Sequence, residues 1–220
     1  MAPGRALAPK PTHESFITYT YAMPRLANNT RARRRATLIE AGWSCLARSG
    51  CRDLRIDDIC REAKVSKGAF YGYFPHKQTF LLALLQADAE KVEQTMMRLQ
   101  AAPLSAGERL RAFASAMLQR AQEPGRAQLA ADIWSGMQAD PAMRQLLVTV
   151  TARRRERLRA WVETGIADGQ LVSAPANALA SLLLALGDGL TMHAGLDPEA
   201  FRWDNIGRTL DILLASLQPR

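Results

Sequence analysis

The chain has 220 residues, 48% apolar and 23% charged, with a formal net charge of +8; this balance suits one large or two small folded domains. No uninterrupted apolar run reaches the roughly 20 residues that a membrane-crossing helix needs, and no secretory signal opens the chain, so a cytoplasmic protein with no membrane partner is expected. Cys45, Cys51 and Cys60 lack CxxC spacing, which argues against a disulfide framework or a zinc site.

The charge is concentrated at one end. Residues 1–77 hold fourteen basic against six acidic side chains, which accounts for the whole excess, and residues 78–220 are neutral. A polyanion partner for the N-terminal third is the expectation this sets against a merely solvated basic face.

Residues 1–29 mix prolines with polar residues and read as a flexible extension. From Thr30 the pattern is helical throughout. Thr30 is placed to cap a helix to about Arg48, with Leu38, Ile39, Trp43, Cys45 and Leu46 on one side and Gly50 as its stop. Short helices follow at Ile56–Ala63 and Ser66–Phe74, then a long amphipathic one at Lys77–Gln100 carrying Leu81, Leu85, Val92, Met96 and Leu99. Turn signals at Pro103, Pro124-Gly125, Pro141, Gly169, Pro175 and Pro198 divide the remainder into helices at about 105–122, 126–138, 141–168, 175–195 and 201–217. The expected fold is all-α with nine helices. The expected segments are 1–29 as an extension, 30–77 as a first helical unit, 78–102 as a connecting helix and 103–220 as a second helical unit. Apolar faces at about 175–217 exceed what one small domain covers, so a homodimer is expected through them.

Two short helices joined by a tight turn have the form of a helix-turn-helix. Ile56, Ile59, Ala63, Val65, Phe70 and Phe74 supply a miniature core. Ser66 caps the second helix, and Lys67, Gly68, Ala69, Tyr71 and Tyr73 face outward. Gly68 and Ala69 permit close approach to a groove, Lys67 reaches guanine or phosphate, and both tyrosines donate to phosphate oxygens. His76 and Lys77 open the next helix, where backbone N–H groups attract a further phosphate.

The stretch Asp58-Ile59-Cys60 through Ala63-Lys64-Val65-Ser66-Lys67-Gly68-Ala69-Phe70-Tyr71-Gly72-Tyr73-Phe74-Pro75-His76-Lys77 resembles the DNA-binding domain of TetR-family transcriptional regulators. The resemblance extends from about Arg31 to Val92. It implies a homodimeric, ligand-responsive repressor on a double-stranded, palindromic operator, released by a small lipophilic effector. A ligand-binding protein with a degenerate reading head, or an activator of the same fold, are the alternatives. The chain departs from the pattern at three places: Lys64 stands where the family has Gly, Arg55 where it has a Thr or Ser cap, and His76 where a smaller cap is common.

Arg31, Arg33, Arg34 and Arg35 read as an arm laid on the phosphate backbone or into a minor groove, with a solvated basic face as the alternative; Arg33 and Arg34 are its expected DNA contacts, and Arg55 is a further one. The run Arg153–Arg159 reads as a solvated or ion-paired face beside the pocket, and binding of an effector carboxylate is the sharper alternative. Phe113, Met117, Trp134, Met137, Trp161 and His193 are the expected effector contacts, with Met192 beside them. The cysteines read as apolar packing. His13 and His193 have no partners at metal-ligand spacing, and no catalytic constellation or phosphate-cradling loop is present, so neither an enzyme nor a metal or cofactor is expected.

Overall fold

The computed structural model describes residues 13–50 and 53–219, with the side chains of 13–29 and 137–139 left aside. Residues 1–12, Cys51 and the Met137 side chain therefore lie outside the described residues. Among those described there are nine helices: α1 His13–Ser49, α2 Ile56–Glu62, α3 Lys67–Tyr73, α4 Lys77–Ala101, α5 Ala106–Ala121, α6 Arg126–Ala139, α7 Pro141–Ala167, α8 Ala176–Leu196 and α9 Trp203–Ala215.

Local chemistry sets most of these boundaries. Gly50, Gly125 and Gly169 take the left-handed conformation at φ +71°, +76° and +68°, which ends a helix or turns the chain into the next. Ser105 and Glu108 form a reciprocal cap on α5: the Ser105 hydroxyl accepts from the Glu108 N–H at 3.3 Å, and the Glu108 carboxylate accepts from the Ser105 N–H at 2.9 Å. The Asp140 carboxylate accepts from the N–H groups of Ala142 and Met143 at 2.9 and 3.3 Å, with Pro141 as the first helical residue of α7.

The first helix corrects the expected start at Thr30. Helix α1 begins at His13, so Thr30 is an exposed interior residue, and residues 13–29 of the expected extension are helical. Pro24 suggests a break, but Ala22, Arg25, Leu26 and Ala27 around it all favour helix. The arginines from Arg31 to Arg35 consequently lie within α1, and not on an arm ahead of it.

Two apolar cores share α4. The first gathers Leu38, Cys45, Leu46, Leu54, Ile59, Phe70, Phe74, Phe80 and Leu84 from α1 to α4, with Leu129 and Met143 from farther along the chain. The second gathers Val92 and Met96 of α4 with Leu110, Phe113, Leu158, Trp161, Val162, Leu171 and Ala180. Phe80 and Leu84 therefore sit in one core, and Val92 and Met96, about two turns on, in the other. A displacement of α4 is felt in both.

Helix α8 is long and apolar enough by length and composition to cross a membrane, although Asp188 interrupts its apolar run. The helix packs on α5, α6 and α7. Leu182 and Leu186 of α8, with Ile212 and Leu213 of α9, are nevertheless exposed, Leu182 and Ile212 to 65% and 70%.

Candidate nucleic-acid interface and inner cavity

The α2–α3 turn closes through backbone bonds from Val65 N–H to the Cys60 carbonyl at 3.0 Å and from Ala63 N–H to the Ile59 carbonyl at 2.9 Å. Lys64 makes this possible at φ +54°, the one side-chain-bearing residue with positive φ among those described. The Ser66 hydroxyl then accepts from the Ala69 N–H at 3.1 Å and caps α3. Arg55 occupies the N-cap position of α2 without a side-chain cap bond.

Beneath α3 the rings of Phe70, Phe74 and Phe80 meet with centroids 5.0–5.6 Å apart. This cluster ties α3 to the first turn of α4. There the Thr79 hydroxyl accepts from the His76 N–H at 3.1 Å and donates to the His76 carbonyl at 2.6 Å.

Above that core Arg55, Ser66, Lys67, Gly68, Ala69, Tyr71 and His76 are exposed, while Tyr73 and Lys77 are half-buried. Methyl groups built on Gly68 or Gly72 would meet nothing closer than 3.9 Å, so packing does not require glycine there. Arg33 and Arg34 are exposed on α1. The guanidinium groups of Arg31 and Arg35 lie over the rings of Tyr73 and Phe74 at 5.6 and 5.4 Å.

Some of the basic charge is answered internally. Lys67 Nζ lies 2.7 Å from Asp57, and Arg48 lies 2.8 Å from Glu62. The hydrogen bond to Asp57 raises the Lys67 ammonium above its ordinary range. Both pairs are exposed, so they hold these cations only weakly against competition from phosphate. Cys45 and Cys60 are buried free thiols, and burial pushes both up, away from the reactive thiolate.

A cavity of about 470 Å³ opens between α4, α5, α6, α7 and α8. Phe113, Met117 and Trp134 line it as expected, but Trp161 and His193 do not. Trp161 is two turns beyond Arg154 along α7, where α5 closes on it. It is buried edge-on to Phe113 at 6.1 Å, with its indole N–H donating to the Gln100 side chain. His193 lies off the inward face of α8, which runs through Leu183, Leu184, Gly187, Asp188 and Thr191, and is exposed.

Size and polarity alone do not reveal the charged part of the lining, which consists of Asp88, Arg120, Arg126, Arg154, Arg155 and Asp188. Phase does reveal part of it. Asp88 stands between Leu85 and Val92 on the apolar stripe of α4, and Arg154 stands four residues before Leu158 on that of α7. From the Arg153–Arg159 run, Arg154 and Arg155 face the cavity, while Arg157 pairs with Glu93 and Arg159 with Glu156 and Glu163.

Asp88 is shared by two guanidinium groups, Arg120 and Arg126, the latter at 2.9 Å. Burial alone would push its carboxyl up; the two positive charges and their hydrogen bonds bring it below its ordinary value. Burial raises Asp188, with Arg154 opposing, although the carboxylate is open to water in the cavity. Burial also depresses Arg154, helped by repulsion from Arg120 and opposed by Asp88 and Asp188.

Arg126 connects this wall to the N-terminal helices. Its guanidinium pairs with Asp88 of α4 and lies 4.9 Å over the Trp43 ring of α1. Next to it, a side chain on Gly125 would drive its Cβ to 2.5 Å from the Ala47 backbone, so α1 and the α5–α6 turn touch main chain to main chain. Gln78, at the start of α4, donates to the Asp140 carboxylate at 2.6 Å and so reaches the cap of α7.

A capped, exposed reading helix on a sealed aromatic core, joined by one shared helix to a hollow bundle, defines a DNA-binding regulator with a C-terminal helical domain. Residues 38–84 match the family described as bacterial regulatory proteins, tetR family, and residues 106–219 match the BetI-type transcriptional repressor C-terminal domain. The chain belongs to the TetR family of transcriptional regulators, which are not enzymes.

The transcriptional regulator AcuR of Cereibacter sphaeroides is 38% identical over 81 residues, 35% of this chain and 36% of that protein. The uncharacterized HTH-type regulator YuxN of Bacillus subtilis is 42% identical over 48 residues, 22% of this chain and 16% of that protein. The chain thus spans about a third or less of the curated relatives it matches. A transcriptional regulator from Saccharomonospora viridis, solved in complex with choline, superimposes with a TM-score of 0.77 at 22% identity, covering 86% of this chain and all of that one.

Proposed function

We propose that this regulator is a ligand-responsive repressor. As a homodimer it places two α3 helices, from residues 30–77 of each copy, in successive major grooves of a palindromic operator about 34 Å apart. Residues 78–102 connect the reading head to a sensor formed by 103–220. The exposed leucines and isoleucine of α8 and α9 support pairing of two copies through about 175–217. Such a protein works on chromosomal DNA in the cytoplasm.

The observation that carries the ligand response is the half-buried Arg126, which contacts the cavity, α4 through Asp88 and α1 through Trp43. A ligand that fills the cavity better in one arrangement of α4 than in another shifts the spacing of the two heads. DNA and ligand then weaken each other by the same factor. The cavity accepts a partly lipophilic effector, with Phe113, Met117 and Trp134 on its apolar side.

The direct test is binding of the full chain to the duplex upstream of its own gene across a salt series. Specific binding is expected, and the slope of log K against log salt becomes shallower by about 0.9 for each phosphate that a substitution leaves without its cation. Arg33→Gln with Arg34→Gln is expected to make it shallower. Binding indistinguishable from that to random duplex would instead support the degenerate head.

A further inference from the structure

The cavity wall has two chemistries. Val92, Phe113, Met117, Ile133 and Leu183 are apolar, but four arginines face two aspartates, a surplus of two positive charges. Asp88 is already engaged by Arg120 and Arg126. Arg154 is different: among the described residues its guanidinium has no ion pair and no hydrogen bond, and Asp188 attracts it only at longer range. The neighbouring Arg155 Nε is buried without a hydrogen-bond partner.

A half-buried guanidinium that faces the cavity without a hydrogen-bond partner is free to take an anion. A quaternary ammonium ligand such as the choline of the Saccharomonospora structure would add a further positive charge beside four arginines. A neutral apolar ligand would leave Arg154 unmatched. A carboxylate offers two oxygens to the planar fork, in a charge-assisted bond stronger than one between neutral groups. The volume suits a small organic molecule, and the apolar wall requires a hydrocarbon body.

We propose that this cavity binds a small amphiphilic carboxylate, its oxygens on the Arg154 guanidinium and its hydrocarbon body against Phe113, Met117 and Ile133. The proposal rests on the reading of the cavity as the effector site. Arg154 is then the residue that selects an anion over an isosteric neutral molecule.

Calorimetric titration of the full-length protein, without DNA, with hexanoate, octanoate and phenylacetate, their primary amides and choline tests it. At fixed ionic strength at least one carboxylate is expected to bind about tenfold or more tightly than its amide, and choline more weakly still. Arg154→Met is expected to bring acid and amide within about twofold. Asp188→Asn, which keeps Arg154 and removes its nearby counter-charge, is expected to tighten the carboxylate severalfold, and it serves if Arg154→Met does not fold. Equal binding of acid and amide, preference for choline, or no binding by any carboxylate overturns the proposal. Carboxylate binding that leaves operator affinity untouched would sink the effector reading and leave the ligand class standing.

Discussion

The reading head and the sensor are both helical bundles built on α4, yet they treat charge in opposite ways. In the head, Phe70, Phe74 and Phe80 seal the interior, and the ion pairs Lys67–Asp57 and Arg48–Glu62 remain at the surface. In the sensor, Asp88, Arg120, Arg126, Arg154, Arg155 and Asp188 line an interior cavity of about 470 Å³. A sealed apolar core holds one shape for a groove to meet. A hollow core with charges on its wall has a free energy that depends on what fills it.

Substitutions can break this contrast, beginning with the largest effect. Phe70→Ala removes a fully buried ring from the head and is expected to cost about 4 kcal/mol in urea unfolding. A cost near that of a surface change would mean the head is not sealed. Asp88→Asn leaves two half-buried guanidinium groups without their shared counter-ion and is expected to cost about 2 kcal/mol, between an exposed and a fully buried pair. Because folding lowers the Asp88 pKa, its contribution is complete above the unfolded carboxylate value and fades as pH falls through the folded one. Acid titration of wild type and Asp88→Asn should therefore bring their stabilities together at low pH. A stability gap that persists there would assign the cost to packing.

Smaller effects sharpen the head. Ser66→Ala removes the α3 cap and is expected to cost about 1 kcal/mol and to weaken operator binding. Lys64→Gly relieves a left-handed side-chain-bearing residue and is expected to raise stability by roughly 1 kcal/mol. Unchanged or lower stability would contradict the strain assigned to this turn.

The two regions also differ in how plainly the residues announce them. The head is legible because its requirements are local: a cap at Ser66, a turn at Lys64 and apolar spacing from Ile59 to Phe74 all lie within one short segment. Helix ends at Gly50, Gly125, Pro141 and Gly169 are legible for the same reason. The cavity is assembled from five helices, so its lining depends on packing that no local pattern specifies. Trp161 and Met117 are both large apolar residues, and only the closure of α5 on α7 separates the one in the core from the one in the wall. Asp88 and Arg154 carry a usable signal, a charge at an apolar phase, but a single charge on such a stripe also occurs on solvated helices. The upstream start of α1 is obscured by Pro24, a residue that ordinarily breaks a helix interior.

The coupling of these regions is open to one direct measurement. An operator duplex selected from a random pool and labelled with a fluorophore can be titrated with the full-length protein, with and without a saturating concentration of whichever carboxylate binds most tightly. Operator affinity is expected to fall by about tenfold or more, and carboxylate affinity to fall by the same factor when operator is bound. Tight carboxylate binding with unchanged operator affinity would contradict the coupling of the cavity to the reading head through α4 and Arg126.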